Sequence, residues 1–222
     1  MNFVFMLTRD DRTISDGHAV LDEIRDLGLR HIGCKDVGID PAALAGLHRA
    51  MKARGATTYL ECVGTTPQAA GDAARLAREI GFDRLLGGTR VDEVLAILAG
   101  SDVQYLPFPG RPFGHPTQLA GSPAEIEADC RRFEALGAAG VDLLAYRATE
   151  ADPIELVRAA RRSMRGTLLV AGGVRSAEQV RALAGAGADA FTVGSAAFDG
   201  SFAPAAGPGL RAQLKAVLDA CS

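Results

Sequence analysis

Short apolar or β-branched runs alternate along this chain with longer stretches whose apolar residues recur at three- and four-residue spacing. The runs cover residues 3–7, 31–34, 57–63, 84–86, 103–106, 141–145, 167–171 and 190–193, and they predict eight strands. The stretches at 43–54, 68–80, 91–99, 124–136, 153–164, 177–186 and 210–220 predict helices. Four helix starts share one signal, a capping residue followed by proline: Asp40-Pro41, Thr66-Pro67, Ser122-Pro123 and Asp152-Pro153. Ends such as Arg54-Gly55, Ile80-Gly81, Ala139-Gly140 and Ala186-Gly187 place glycine where a left-handed cap precedes the next strand.

The strand–helix unit repeats every ~20–40 residues, the size of a βαβ element. Eight such units in one sheet close more readily into a barrel than into an open sheet. The expectation is one (β/α)8 barrel domain over residues 1–222, near the lower end of length for that fold. A hydrophobic content of 48% can supply its core. The net charge of −3 gives no electrostatic case for nucleic acid or an anionic membrane. Residues 1–7 are too short for a signal segment and read as the first strand, and no stretch reaches the ~18 apolar residues of a membrane helix. Cys34, Cys62, Cys130 and Cys221 form no CxxC pair, so reduced thiols in a cytoplasmic protein are expected.

Two irregular places break the repeat. Residues 107–117, Pro-Phe-Pro-Gly-Arg-Pro-Phe-Gly-His-Pro-Thr, follow the fifth strand; their prolines and glycines argue against regular structure. A long loop on that face is expected to wall or cover the active site, with His115 as a candidate group. Residues 200–208 separate the eighth strand from the last helix, as a short extra helix or a flexible connection.

Leu168-Leu169-Val170-Ala171-Gly172-Gly173-Val174-Arg175-Ser176 and Ala190-Phe191-Thr192-Val193-Gly194-Ser195-Ala196 each read as strand followed by glycine turn. Such turns let backbone N–H groups approach an anion, and the loops after strands seven and eight are the recurring phosphate site of (β/α)8 barrels. Gly172, Gly173, Gly194 and Ser195 are the predicted phosphate contacts. With Ser176-Ala177-Glu178-Gln179 and Ala186-Gly187-Ala188-Asp189, these turns resemble the ribulose-phosphate-binding barrels. That superfamily includes histidine- and tryptophan-biosynthesis isomerases, thiamin-thiazole synthase and N-acylmannosamine-6-phosphate 2-epimerase. The resemblance implies a phosphate site and leaves the reaction open.

Chemistry must come from polar residues at the carboxyl ends of the strands. Lys35 ends the second strand. A lysine at an apolar barrel mouth can act as a base or imine-forming nucleophile, clamp an anion, or pair structurally with Asp36. His31-Ile32-Gly33-Cys34-Lys35-Asp36 is similar to the lysine-bearing strand of the N-acylmannosamine-6-phosphate epimerases. Those enzymes carry a catalytic acid after strand seven, where this chain has Gly172-Gly173, so Glu61 on strand three is the candidate replacement. A carboxylate ending a buried strand needs a partner, and Lys35 is the natural one, with Gly33 leaving room for substrate below it. Arg147 is a candidate anion contact, or a rim partner of Glu150 or Asp152. His18 and His48 read as surface or packing residues, and His31 lies at the opposite end of its strand.

These features predict an enzyme that acts on a small phosphorylated metabolite, by proton-transfer isomerisation or epimerisation or by carbon–carbon chemistry through a lysine imine. Lys35, Glu61, His115 and Arg147 would carry it. No metal is expected, because no His/Asp/Glu cluster has ligand-like spacing. No cofactor is expected; FMN is the alternative, since flavin barrels use similar turns. A noncatalytic phosphometabolite-binding barrel is a third class. A homo-oligomer stays open.

Overall fold

The apolar runs form eight strands in the computed structural model, which describes residues 1–221. They are β1 (Asn2–Met6), β2 (His31–Lys35), β3 (Thr57–Glu61), β4 (Arg84–Leu86), β5 (Gln104–Leu106), β6 (Gly140–Leu143), β7 (Thr167–Val170) and β8 (Ala190–Val193). They pair in parallel in the order β6-β7-β8-β1-β2-β3-β4-β5. The amides of Ala139 and Asp142 donate to the carbonyls of Tyr105 and Pro107, at 3.0 and 2.9 Å, and join β6 to β5. The sheet closes on itself as a (β/α)8 barrel.

The helices around it are α1 (Gly17–Glu23), α2 (Pro41–Lys52), α3 (Pro67–Ile80), α4 (Val91–Leu98), α5 (Pro123–Leu136), α6 (Pro153–Ser163), α7 (Ala177–Ala186), α8 (Ser195–Phe198) and α9 (Leu210–Ala220). Their starts follow the signals in the sequence. The side chains of Asp40, Thr66, Ser122 and Asp152 each accept an amide hydrogen bond in the first turn, with proline at the first or second helical position. The α1 helix has no such start, because Asp16 makes no capping bond and no proline follows it. The cap before β6 is Gly137, at φ +96°, rather than Gly140, which is buried within the strand itself. None of the described helices is long and apolar enough to cross a membrane.

Strand alternation decides what fills the barrel. Met6, Gly33, Tyr59, Arg84 and Gln104 lie in one register row across β1 to β5. The Arg84 guanidinium stands 5.5 Å over the Tyr59 ring and donates across the barrel to Thr167 Oγ1 at 3.4 Å. Tyr59 Oη is 3.0 Å from His31 Nδ1. These groups fill the amino end and leave the carboxyl end as the place where the interior opens.

Two antiparallel hairpins rise at that end. Thr8–Arg9 pairs with Arg12–Thr13 directly after β1, and Arg111–Phe113 pairs with Gln118–Ala120 after β5. The second corrects the expectation that residues 107–117 lack regular structure. Its turn takes up Gly114-His115-Pro116-Thr117, so Pro112 can lie within a two-stranded ribbon that has no third strand to serve. Arg111 ties its base to Glu125 and Glu150, and the Thr149 amide donates to the Leu119 carbonyl at 2.9 Å. The extra helix after β8 is α8 itself, one turn starting at Ser195; residues 200–208 hold only the short 3₁₀ turn Pro204–Ala206.

Candidate active site

Lys35 and Glu61 are the last residues of β2 and β3, and the register sets them side by side. Lys35 Nζ donates to Glu61 Oε1 at 3.0 Å and to Asp11 Oδ1 at 3.0 Å. Arg147, in the 3₁₀ turn Ala145–Arg147 after β6, forks onto the same aspartate: Nη1 reaches Oδ2 and Nη2 reaches Oδ1, both at 2.9 Å. Its Nη1 also donates to the Thr117 carbonyl at 3.1 Å, which links the site to the second hairpin. Lys35 and Glu61 are each 6% exposed and Asp11 9%, so the network is largely withdrawn from water.

Asp11 arrives by backbone geometry. It sits with Asp10 in the turn of the first hairpin at φ +56° and +49°, left-handed values that aspartate tolerates better than most residues. Thr13 fixes that hairpin to β2. Its Oγ1 accepts from the Lys35 amide at 2.7 Å and donates to the Lys35 carbonyl at 2.8 Å, all buried. Thr13→Val strips both bonds from a buried site. It should cost about 1–3 kcal/mol in chemical denaturation, a loss that an unchanged unfolding midpoint would rule out.

The charges set one another. Burial opposes the charge on Lys35, but Glu61 and Asp11 outweigh it and hold the amine above the usual lysine value. Burial would likewise raise Asp11; the Arg147 fork and the Lys35 charge carry it well below the usual carboxylate range. Arg147 is raised in the same way by Asp11 against its own burial. Lys35 is an ammonium group in this arrangement.

A cavity of about 460 Å³ opens above the network, a size that suits a small metabolite. Lys35, Glu61, Asp11 and Arg147 all line it. Gly172, Gly173, Gly194 and Ser195 all line it, from the turns after β7 and β8. Gly172 and Gly173 have φ of +71° and +80°, and a side chain at either would run into Arg147 or Tyr146. The exposed Arg175 lies on the same rim and makes no ion pair among the described residues. His115 and Pro116, at the tip of the second hairpin, complete the lining.

Several expectations change. The partner of Lys35 on the acid side is Glu61 together with Asp11, and Asp36 instead accepts from the Val63 amide at 3.0 Å. Glu150 pairs with Arg111 and Asp152 caps α6, so neither meets Arg147. The space beside Gly33 is taken by Met6 and Tyr59, so substrate has no room below the lysine and must enter from above. Two acids escaped sequence reasoning. Asp11 lay in a turn with no periodic signal. Asp142 did carry one, as a carboxylate inside an apolar strand. Among the described residues, no three His, Cys, Asp or Glu side chains are grouped so as to hold a metal ion.

Residues 110–202, from the second hairpin through α8, match a known family. Its description is histidine biosynthesis protein. No curated protein matches the chain. Among solved structures, the tryptophan synthase complex from Pyrococcus furiosus aligns at 14% identity and a TM-score of 0.69, covering 98% of each chain. A native KDPGal aldolase structure aligns at 13% identity and 0.67, over 99% of this chain and 96% of that one. The Amycolatopsis orientalis BexX/CysO complex aligns at 17% and 0.62, over 100% and 90%. These likenesses bear out the (β/α)8 barrel and its resemblance to barrels of this class.

Proposed function

We propose that this protein is an enzyme that moves a proton at a carbon next to a carbonyl in a small phosphorylated metabolite, as an isomerase or epimerase. The observation that carries this reading is the buried carboxylate–ammonium pair of Glu61 and Lys35 beneath a cavity walled by glycine turns. An ammonium group has three N–H donors. Lys35 spends two, on Asp11 and Glu61, and keeps one for a substrate carbonyl oxygen. Glu61 holds Lys35 through Oε1, which leaves Oε2 as the base.

In this scheme Glu61 takes the proton from carbon while Lys35 stabilises the negative charge that grows on oxygen. Return of the proton to the neighbouring carbon isomerises the substrate; return to the opposite face of the same carbon epimerises it. The same stabilised enolate would serve a carbon–carbon lyase. The raised affinity of Lys35 for its proton disfavours an imine, which needs a neutral amine to attack the carbonyl. Arg147 holds Asp11 in place. The match of residues 110–202 to a histidine biosynthesis family is in keeping with an enzyme of small-metabolite chemistry.

The phosphate would lie against Gly172, Gly173, Gly194 and Ser195, with Arg175 adding charge from the rim. Gly173 is unsuited to mutation because a side chain at φ +80° is strained whatever it carries. Ser195→Asp avoids that strain and sets a like charge at the wall. It should weaken inorganic phosphate binding by at least about tenfold, roughly 1.4 kcal/mol, read by calorimetric titration. Equal phosphate affinity in the variant and the parent protein would refute this placement.

A further inference from the structure

The scheme above leaves one acid of the cluster unused. Asp142 lies opposite Leu169, Leu169 lies opposite Ala190, and Ala190 shares its face with Thr192, which lines the cavity. Asp142 therefore points into the barrel. It is 0% exposed, and neither carboxyl oxygen has a hydrogen-bond partner among the described residues. A fully buried carboxyl without a partner is rare in folded proteins and calls for a reason.

Charge counting supplies one. Lys35 from β2 and Arg147 from the turn after β6 carry the positive charges that face Asp142, and Glu61 from β3 carries the negative one. Both cations are already paired, through contacts of 2.9–3.0 Å to Asp11 and Glu61. Two negative charges balance two positive ones. A third carboxylate would stand uncompensated in the barrel interior, where an isolated charge is strongly disfavoured. Burial first, and then repulsion by Glu61, hold the Asp142 carboxyl well above the usual range. An amide or an apolar residue would fill the same strand position without that cost, and costly buried groups of this kind concentrate at working sites.

We propose that Asp142 is a positioning residue of the proton-transfer site, which holds a proton in the resting protein and by its neutrality keeps Lys35 committed to Glu61 and Asp11. The proposal rests on the proton-transfer reading of Glu61 and Lys35. When Asp142 ionises, its O–H bond breaks and the proton passes to water. The new carboxylate then competes with Glu61 for Lys35, and the site loses its charge balance. The upper pH limit of activity is the ionisation of Asp142.

The linkage has a definite sign. A group that binds its proton more tightly in the folded state stabilises fully below its unfolded value, about 3.9, and loses that contribution as pH rises through its folded value. Asp142→Asn cannot ionise. The variant should gain on the parent protein as pH rises from about 4 to 7, and at pH 7 it should melt about 4 °C higher or more. The alkaline limb of its kcat–pH profile should move to higher pH than in the parent, to the point where Lys35 loses its proton. In infrared difference spectra at pH 7, the carbonyl stretch of a protonated carboxylic acid should be present in the parent and absent in Asp142→Asn. In Glu61→Gln, which lacks the repelling charge, the same band should titrate away at lower affinity for the proton and hence lower pH.

An Asp142→Asn variant that melts below the parent at pH 7, or one with an unaltered kcat–pH profile, overturns the proposal. If the variant fails to fold, the infrared band in the parent and in Glu61→Gln decides alone: its absence from the parent at pH 7, or its loss at the same pH in both proteins, overturns the proposal. These spectra need no substrate. A missing band counts against Asp142 alone, whereas full proton exchange by Glu61→Gln counts against the reading on which the role of Asp142 rests.

Discussion

Glu61→Gln should lower kcat by about 10²–10⁴-fold, the usual contribution of a positioned general base, with little change in KM. The amide keeps the size of the side chain and can still accept from Lys35 through its oxygen, so the ammonium group retains both partners. The phosphate contacts proposed for the glycine turns do not involve Glu61. The loss should therefore fall on the chemical step and leave recognition intact. A variant whose KM rises while kcat holds would assign Glu61 to substrate binding instead. The melting temperature should be measured alongside, because the change leaves the charges of Lys35 and Arg147 to Asp11 alone.

Lys35→Ala has the largest expected effect on stability, a loss of about 3–5 kcal/mol at pH 7 in chemical denaturation. Removing the amine strands Glu61 and leaves Asp11 with Arg147 alone, in a site where these carboxylates are less than 10% exposed. The pH dependence follows from the directions of the shifts. Asp11 binds its proton less tightly in the folded state, so its contribution is present above about pH 3.9 and fades as pH falls through its folded value. Lys35 binds its proton more tightly, so its contribution is full below about pH 10.4 and fades as pH rises through its folded value. The network stabilises most between about pH 4 and 10. The deficit of Lys35→Ala should narrow as pH falls below about 3.9, where the parent loses the contribution of Asp11. A deficit that widens toward pH 4 would contradict the ion-pair account. Lys35→Arg keeps the charge and should recover much of the stability.

How far the sequence could be read depended on how local each signal was. The strands Arg84–Leu86 and Ala190–Val193 have the bounds that their apolar runs predict, and the proline-capped helices begin within two residues of the expected place. Lys35 and Glu61 were legible because a charged residue that ends an apolar strand has few places to go except the barrel mouth. Arg147 was legible as an anion contact, but its partner was not. The nearby Glu150 and Asp152 were the natural candidates by sequence, whereas Asp11 lies 136 positions away and is delivered by a two-strand turn with left-handed backbone. Neither the hairpin that carries Asp11 nor the ribbon that carries His115 has the length or alternation of a core strand. Asp142 was overlooked for the opposite reason. It lay within Ala139-Gly140-Val141-Asp142, a stretch resembling the glycine-capped helix ends elsewhere in the chain, and only the register shows that it faces the cluster.

The central claim is that Glu61 exchanges a proton with a carbon beside a carbonyl while Lys35 stays charged. Deuterium uptake tests this most directly, because a proton-transfer enzyme labels its substrate even when no net reaction is seen. The protein would be incubated in heavy water with small phosphorylated aldoses and ketoses, and carbon-bound deuterium read by NMR. The account predicts uptake at one carbon next to the carbonyl with the parent protein, loss of that uptake in Glu61→Gln, and no borohydride-trapped adduct on Lys35. Uptake that persists in Glu61→Gln, or a trapped imine at Lys35, would contradict it.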